Sequence, residues 1–234
     1  MTRLPALILL IATVAFGLAP VVTPPFTGYD PSLFPVDIGR PAIQPAGYAF
    51  AIWSVIYLWL ILHAIYGLWG RADEAAWART RMPLTVAIAV GVVWLWIAGQ
   101  SAIWGTVTIW IMAVAALAAF LRAPTEPDRW LLSGPLAIFA GWLTAAAAVS
   151  TGVLIAGYGV LSNVGSALAM LALVLVIALV VQSRKPRMPI YGLTVVWALV
   201  GVIVENWGDL PMVAWAAVAG AVVMLGSALV ARRR

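Results

Sequence analysis

Apolar residues follow one another along this chain in eight long runs, broken by short polar or proline-containing stretches: Leu4–Val22, Gly47–Trp69, Pro83–Gly99, Ala102–Leu121, Trp130–Thr151, Asn163–Val181, Pro189–Val204 and Leu210–Ala231. A helix crossing a hydrocarbon core of about 30 Å needs roughly 20 apolar residues, and every run is near that length. The pattern predicts an all-α membrane protein, a polytopic helical bundle of about eight transmembrane helices. Pro83 to Leu121 is too long for one span, and Gly99-Gln100-Ser101, with Gly105 just beyond, is where turn chemistry breaks it. Helices three and four are therefore expected as a tight hairpin. Pro83, Pro189 and Pro211 fall where helices are expected to begin, the position at which a missing N–H costs least. Pro135 lies within the fifth run and predicts either a kink or a helix that starts properly only after Gly134.

Charge orients these spans. The chain carries 13 Lys and Arg. With the N-terminus in the cytoplasm, Arg3, Arg71, Arg79, Arg81, Arg122, Arg129, Arg184, Lys185, Arg187 and Arg232 to Arg234 are inside and only Arg40 is outside. Basic residues near span ends set topology, so both termini are expected to be cytoplasmic, in a multi-pass protein of the inner (cytoplasmic) membrane. Helix one has the n-region and h-region of a secretory signal, but Pro20 follows Ala19 without a clean small-x-small cleavage site, and it is read as a retained span. At 65% hydrophobic and 9% charged, the composition is far from the roughly 25% charged of soluble domains. The basic residues are scattered without interleaved aromatics, which excludes a nucleic-acid surface. With no cysteine and one histidine, disulfides and Cys-ligated metals are absent and no metal site is expected.

The longest extramembrane segment, Thr23 to Gln44 and extending to Ala46, holds Pro24, Pro25, Pro31, Pro35 and Pro41 with Phe26, Tyr29 and Phe34 between them. It reads either as a stiff connector or as a cap over the outer mouth of the bundle. Polar residues within the spans gather towards that outer half: Gln100, Ser101, Thr106, Thr108, Ser150, Thr151, Ser162, Asn163, Ser166, Glu205 and Asn206. They either bond between helices or rim a pocket, since an unpartnered polar group facing lipid is costly. Phe50, Trp53 and Tyr57 share one face of helix two. At ~1.5 Å rise per residue, that stripe runs some 15 Å below the helix start, and it serves either packing or a ligand. His63 is a candidate haem ligand or proton relay, or simply a partner for a neighbouring helix. Glu205 and Asn206 sit at a boundary where water is near. The spacing Pro45/Trp53 returns at Pro189/Trp197 on a helix of opposite direction, an echo too short to establish an inverted repeat. No catalytic constellation is present: no Ser-His-Asp set that could meet, no paired midplane carboxylates and no phosphate loop, so the chain is not expected to be an enzyme.

Pro45, Trp53 eight residues on and Tyr57 four further reproduce the second-helix signature of the tryptophan-rich sensory protein family (TspO/MBR, the translocator protein family), which the chain resembles. The 13 tryptophans and Val93-Trp94-Leu95-Trp96 on helix three agree more loosely. On helix five, Pro135 and Trp142 match in kind at wider spacing, and Ser150 stands where the family has Asn. Gly47 replaces an aromatic usually found two residues after the Pro. The resemblance covers roughly residues 1–156, a five-helix bundle with its outer loop at 23–46, and leaves residues 157–234 as three additional spans. It implies a site for a tetrapyrrole (porphyrin-type) or other flat hydrophobic molecule, with Phe50, Trp53, Tyr57, Trp94, Trp96, Trp142 and Ser150 as ligand-binding candidates in a sensory or receptor role. Alternatives are a small-molecule transporter, or a structural or assembly subunit of a membrane complex. Beyond lipid and ligand, the partner expected is a second copy or a complex subunit, with Ala216 and Gly220 at helix-dimer spacing.

Overall fold

A computed structural model describes residues 3–24 and 26–231. Its helices are α1 (Arg3–Val22), α2 (Ile52–Trp69), α3 (Ala75–Gln100), α4 (Ala102–Arg122), α5 (Gly134–Gly157), α6 (Asn163–Arg184), α7 (Ile190–Asn206) and α8 (Pro211–Ala231). Seven of these segments are long and apolar enough to cross a membrane, and Ile190–Asn206 is the shorter eighth. At ~1.5 Å per residue, its 17 residues still reach about 25 Å. The chain is thus an all-helical, multi-pass membrane protein. Leu58 and Leu62 on α2, Ile111 and Val114 on α4, Val176 and Val180 on α6, and Val222 and Val223 on α8 are exposed. Such a belt of large apolar side chains suits lipid, whereas soluble monomers keep exposed apolar patches small.

α5 is the axis of the bundle and packs against α2, α4, α6 and α7. Of the seven long spans it is the most deeply buried, and all residues from Gly134 to Ala145 are buried. Small residues make this possible by letting neighbouring backbones approach closely. At Gly141 a Cβ would lie 2.8 Å from the Tyr191 carbonyl of α7. α1 packs on α2 and α3, α3 on α4, and α8 covers α6 and α7. Gly220 is buried, and a Cβ there would lie in ordinary contact with Leu199 of α7 at 3.5 Å.

The α3–α4 hairpin turns at Ser101, whose hydroxyl caps α4 by accepting from the Trp104 N–H. α5 begins at Gly134 after a single π-helical turn over Arg129–Ser133. The start of α3 differs from expectation: it lies at Ala75, so Pro83 is a buried interior residue and not a first residue. Arg79 and Arg81 continue the helix because Arg81 turns inward. Its guanidinium donates to the main-chain carbonyls of Ala72 (2.7 Å), Arg71 (2.7 Å) and Gly67 (3.4 Å), tying α3 to the end of α2.

The turns α2–α3, α4–α5 and α6–α7 gather at one end. Asp128 accepts from Arg71 Nε (2.8 Å) and from the Trp77 indole (2.9 Å). The Arg71 hydrogen bond holds the Asp128 carboxyl below the usual carboxylate range, with the Trp77 bond adding to it against the effect of burial. Lys185 donates to the Ala123 carbonyl across the same end. His63 is buried, its Nδ1 2.7 Å from the Leu131 carbonyl and its ring stacked on Trp77 at 4.8 Å. It therefore bonds to a neighbouring segment. Arg232 to Arg234 lie outside the described residues.

Candidate ligand-binding site

The opposite end is covered by the proline-rich segment between α1 and α2. Its later half is bonded to the C-terminal helices. Asn163, at the start of α6, accepts from the Ala42 N–H (2.8 Å) and donates to the Arg40 (2.8 Å) and Ile38 (3.2 Å) carbonyls. Asn206, ending α7, donates to the Ala42 carbonyl at 2.9 Å, and Ala46 N–H donates to Gly201 at 3.0 Å. Arg40 reaches Glu205 at 2.5 Å and Asp209 at 3.4 Å. Glu205 is a half-buried ion-pair partner at the helix end.

The earlier half lies over the bundle on its aromatics. Phe26 meets Trp94 of α3 edge-on at 5.0 Å, and Tyr29 lies between Phe26 and Phe34. Two glycines seat these rings. A Cβ on Gly105 would lie 2.7 Å from the Tyr29 hydroxyl, and one on Gly157 would collide with the Phe34 ring. Tyr29 Oη is 2.5 Å from Ser150 Oγ, which in turn is 2.8 Å from Thr106 Oγ1. Burial pushes the Tyr29 phenol pKa up, against the Ser150 and Thr106 bonds, so the hydroxyl stays protonated at neutral pH. The segment is thus an ordered cap.

Beneath it lies a cavity of about 390 Å³, within the size range of small-molecule sites. Phe50, Trp53, Tyr57, Trp94, Trp142 and Ser150 all line it. Trp53 and Tyr57 stack at 5.3 Å, and Trp142 stands edge-on to Phe50 at 5.8 Å and to Trp53 at 6.3 Å. Trp96 departs from this set. It is 67% exposed and lines a second, outer hollow of about 690 Å³ with Gly99 and Gln100. Residues two apart on a helix face different directions, so when Trp94 turns inward Trp96 cannot.

The lining also includes residues that no polar or aromatic motif marked. Phe16 of α1 meets Trp53, Tyr57 and Phe139 edge-on. Leu171 and Val174 of α6 and Val195 and Leu199 of α7 complete the wall. The three helices after α5 thus take part twice, through two lining the cavity and through the same two holding its cover. The Pro189/Trp197 echo also acquires a contact: Trp197 donates to the Ala49 carbonyl at 3.0 Å and meets Tyr48 edge-on. Ser150 is engaged with its two hydroxyl neighbours. The Trp142 indole N–H is buried without an acceptor among the described residues, a cost of about 1–3 kcal/mol where no ligand supplies one. No group of three His, Asp or Glu residues among those described is placed to hold a metal ion.

A family model described as TSPO-like protein matches residues 7–230, through all eight helices. No curated protein and no solved structure matches the chain.

Proposed function

The chain belongs to the TSPO-like family, and from that premise we propose that it binds a flat hydrophobic small molecule, of the tetrapyrrole kind or similar in shape, in the cavity beneath its proline-rich cap, in a sensory or regulatory role. The observation that carries this reading is the convergence of Phe50, Trp53, Tyr57 and Trp142 on one capped cavity of about 390 Å³. Rings held on helices offer a flat ligand large contact area with little rotamer freedom to lose. The role is binding and not catalysis: the polar groups at the cavity are hydroxyls, amides and indoles, without a base beside a nucleophile. Transport is less well supported, because Glu205, the carboxylate that ends α7, sits in an ion pair with Arg40 and not at the middle of a span.

The test is a titration of the purified chain, in mild detergent, with a porphyrin dimethyl ester. Saturable quenching of tryptophan fluorescence, absent from empty micelles, is the expected result. Quenching that only follows partition into micelles would overturn the reading.

The orientation belongs to the same proposal: the cap faces outward and both termini face the cytoplasm, in the inner membrane. It is supported by the gathering of Arg71, Arg129 and Lys185 at the end opposite the cap, as the positive-inside rule requires. With cysteines placed at Ser32 and Ser183, an impermeant reagent applied to intact cells is expected to label the first alone. Labelling of the second alone would reverse the orientation.

A further inference from the structure

At the end opposite the cap, acidic and basic side chains do not match. Asp128 pairs with Arg71 at 2.8 Å and Glu126 with Arg129 at 3.1 Å, while the charges of Glu74 and Asp73 act on Arg71 and Arg81. Three further cations belong to this end: Arg79 in the first turns of α3, Arg122 ending α4 and Lys185 just past α6. Among the described residues, no ion pair joins any of these three to a carboxylate.

They converge although they come from three helices. Lys185 reaches over Phe120, its ammonium 5.9 Å from the ring centre, and donates to the Ala123 carbonyl that follows Arg122. The α3–α4 hairpin brings the first turns of α3 to the same level, and Arg79 is near enough to act on Lys185. Burial lowers the Lys185 pKa, and the Arg79 charge lowers it further. An ammonium has three N–H donors, and Ala123 supplies the one acceptor that Lys185 has among the described residues. Like charges drawn together at a partly buried place disfavour one another. An anion there offsets the repulsion and takes up the open donors through charge-assisted hydrogen bonds.

The surface above these cations is apolar. Arg122 ends a stripe on α4 made by Ile111, Val114 and Ala118 at helical spacing, the first two exposed and the third half-buried. On α3, Met82 and Val86 follow Arg79 in the same way, and both are exposed. Cations at the foot of a lipid-facing apolar surface match the build of a phospholipid, phosphate at the membrane surface and chains towards its middle. A headgroup with its own ammonium would bring one more cation to a place without a free carboxylate, so the match is to a lipid of net negative charge.

We propose that Arg79, Arg122 and Lys185 hold the phosphate of an anionic phospholipid whose chains lie on the outward faces of α3 and α4. Basic pockets between spans at the cytoplasmic face hold such headgroups, and the orientation proposed above puts this one there. The site is separate from the aromatic cavity and does not depend on what the cavity binds.

The full chain in mild detergent is titrated with palmitoyl-oleoyl phosphatidylglycerol or the matching phosphatidylcholine, and bound lipid is counted by native mass spectrometry. The first phosphatidylglycerol is expected to bind at least about tenfold tighter than phosphatidylcholine. Arg122→Gln, at an exposed position, and Lys185→Gln are each expected to weaken phosphatidylglycerol about fivefold and to leave phosphatidylcholine within about twofold. Arg3→Gln removes the same charge from α1, which packs on α2 and α3, and is expected to change neither lipid. Unfolding midpoints show which variants are folded, and Arg122→Gln carries the test if Lys185→Gln is not. Equal affinities for the two lipids, or a folded Arg122→Gln that binds phosphatidylglycerol as wild type does, would overturn the proposal. Millimolar inorganic phosphate is expected to leave the lipid bound, because the chains add to the hold. Displacement by phosphate alone would assign the cations to a free anion and overturn the lipid site.

Discussion

The two ends of this bundle treat polar side chains in opposite ways. At the basic end, Asp128 draws in Arg71 and Trp77, Arg81 is spread over the carbonyls that finish α2 and its turn, and His63 closes on Leu131 while stacking on Trp77. At the capped end, the hydroxyls and amides hold a loop in place, and the aromatics beneath it leave a cavity. Polar groups thus join helix ends and turns at one end and hold a loop over an aromatic cavity at the other, with buried atoms lacking a hydrogen-bond partner among the described residues at each, Ser133 Oγ at the first and Asn206 Oδ1 at the second. The cap itself divides the same way: residues 38–46 are hydrogen-bonded to α6 and α7, while Phe26, Tyr29 and Phe34 rest by ring contact and one hydroxyl chain.

The comparison is broken most strongly by removing the carboxylate of the closed end. Asp128→Ala strands the Trp77 indole and the Arg71 guanidinium, and is expected to cost about 2 kcal/mol of stability, read as a fall in the thermal unfolding midpoint in detergent with porphyrin affinity unchanged. The same group predicts an acid limb. Because its folded pKa lies below the unfolded one, its contribution is fully present above about pH 4 and is lost as the pH falls through the lower, folded value. Asp128→Asn is expected to flatten that limb, and a wild-type acid limb retained in the variant would place its origin elsewhere.

Next in size is Gly157→Ala. The new methyl group occupies the seat of Phe34, and overpacking of this kind costs about 1–3 kcal/mol unless the ring lifts. The expected readout is faster proteolysis of the cap near Phe34, with the closed end unaffected. Tyr29→Phe is milder: it removes the bond to Ser150, roughly 1 kcal/mol, and is expected to speed ligand release about fivefold. An unchanged release rate would mean that the cap's hydroxyl chain does not hold the ligand in.

Most of the helical frame was legible, because apolar runs of membrane length have few other uses; the hairpin turn at Ser101 and the late start of α5 at Gly134 also follow from local chemistry. The start of α3 was hidden because Arg79 and Arg81 read as loop charges, and only tertiary structure supplies the carbonyls that let Arg81 turn inward. In the site, the stripe Phe50, Trp53 and Tyr57 was visible through helical spacing. Trp96 was grouped with Trp94 by motif, although adjacent members of such a pair diverge around the helix axis. Leu171, Val174, Val195 and Leu199 were invisible, since an aliphatic side chain facing a cavity has the same sequence pattern as one facing another helix. Asn163 and Asn206 were recognised as polar groups near the mouth, but their partners in the cap lie more than a hundred residues away along the chain.

The central claim is that the aromatic cavity, and not the lipid-facing surface, receives the flat ligand. Trp53→Leu and Trp96→Leu each remove one indole and keep hydrophobicity, the first from the cavity and the second from the outer hollow. The affinity of each variant for a porphyrin dimethyl ester, measured beside wild type with correction for the lost fluorophore, decides between them. The account predicts binding at least about tenfold weaker in Trp53→Leu, the scale of a lost aromatic contact and its buried area, and within about twofold of wild type in Trp96→Leu. Equal affinities for wild type and a folded Trp53→Leu would contradict it.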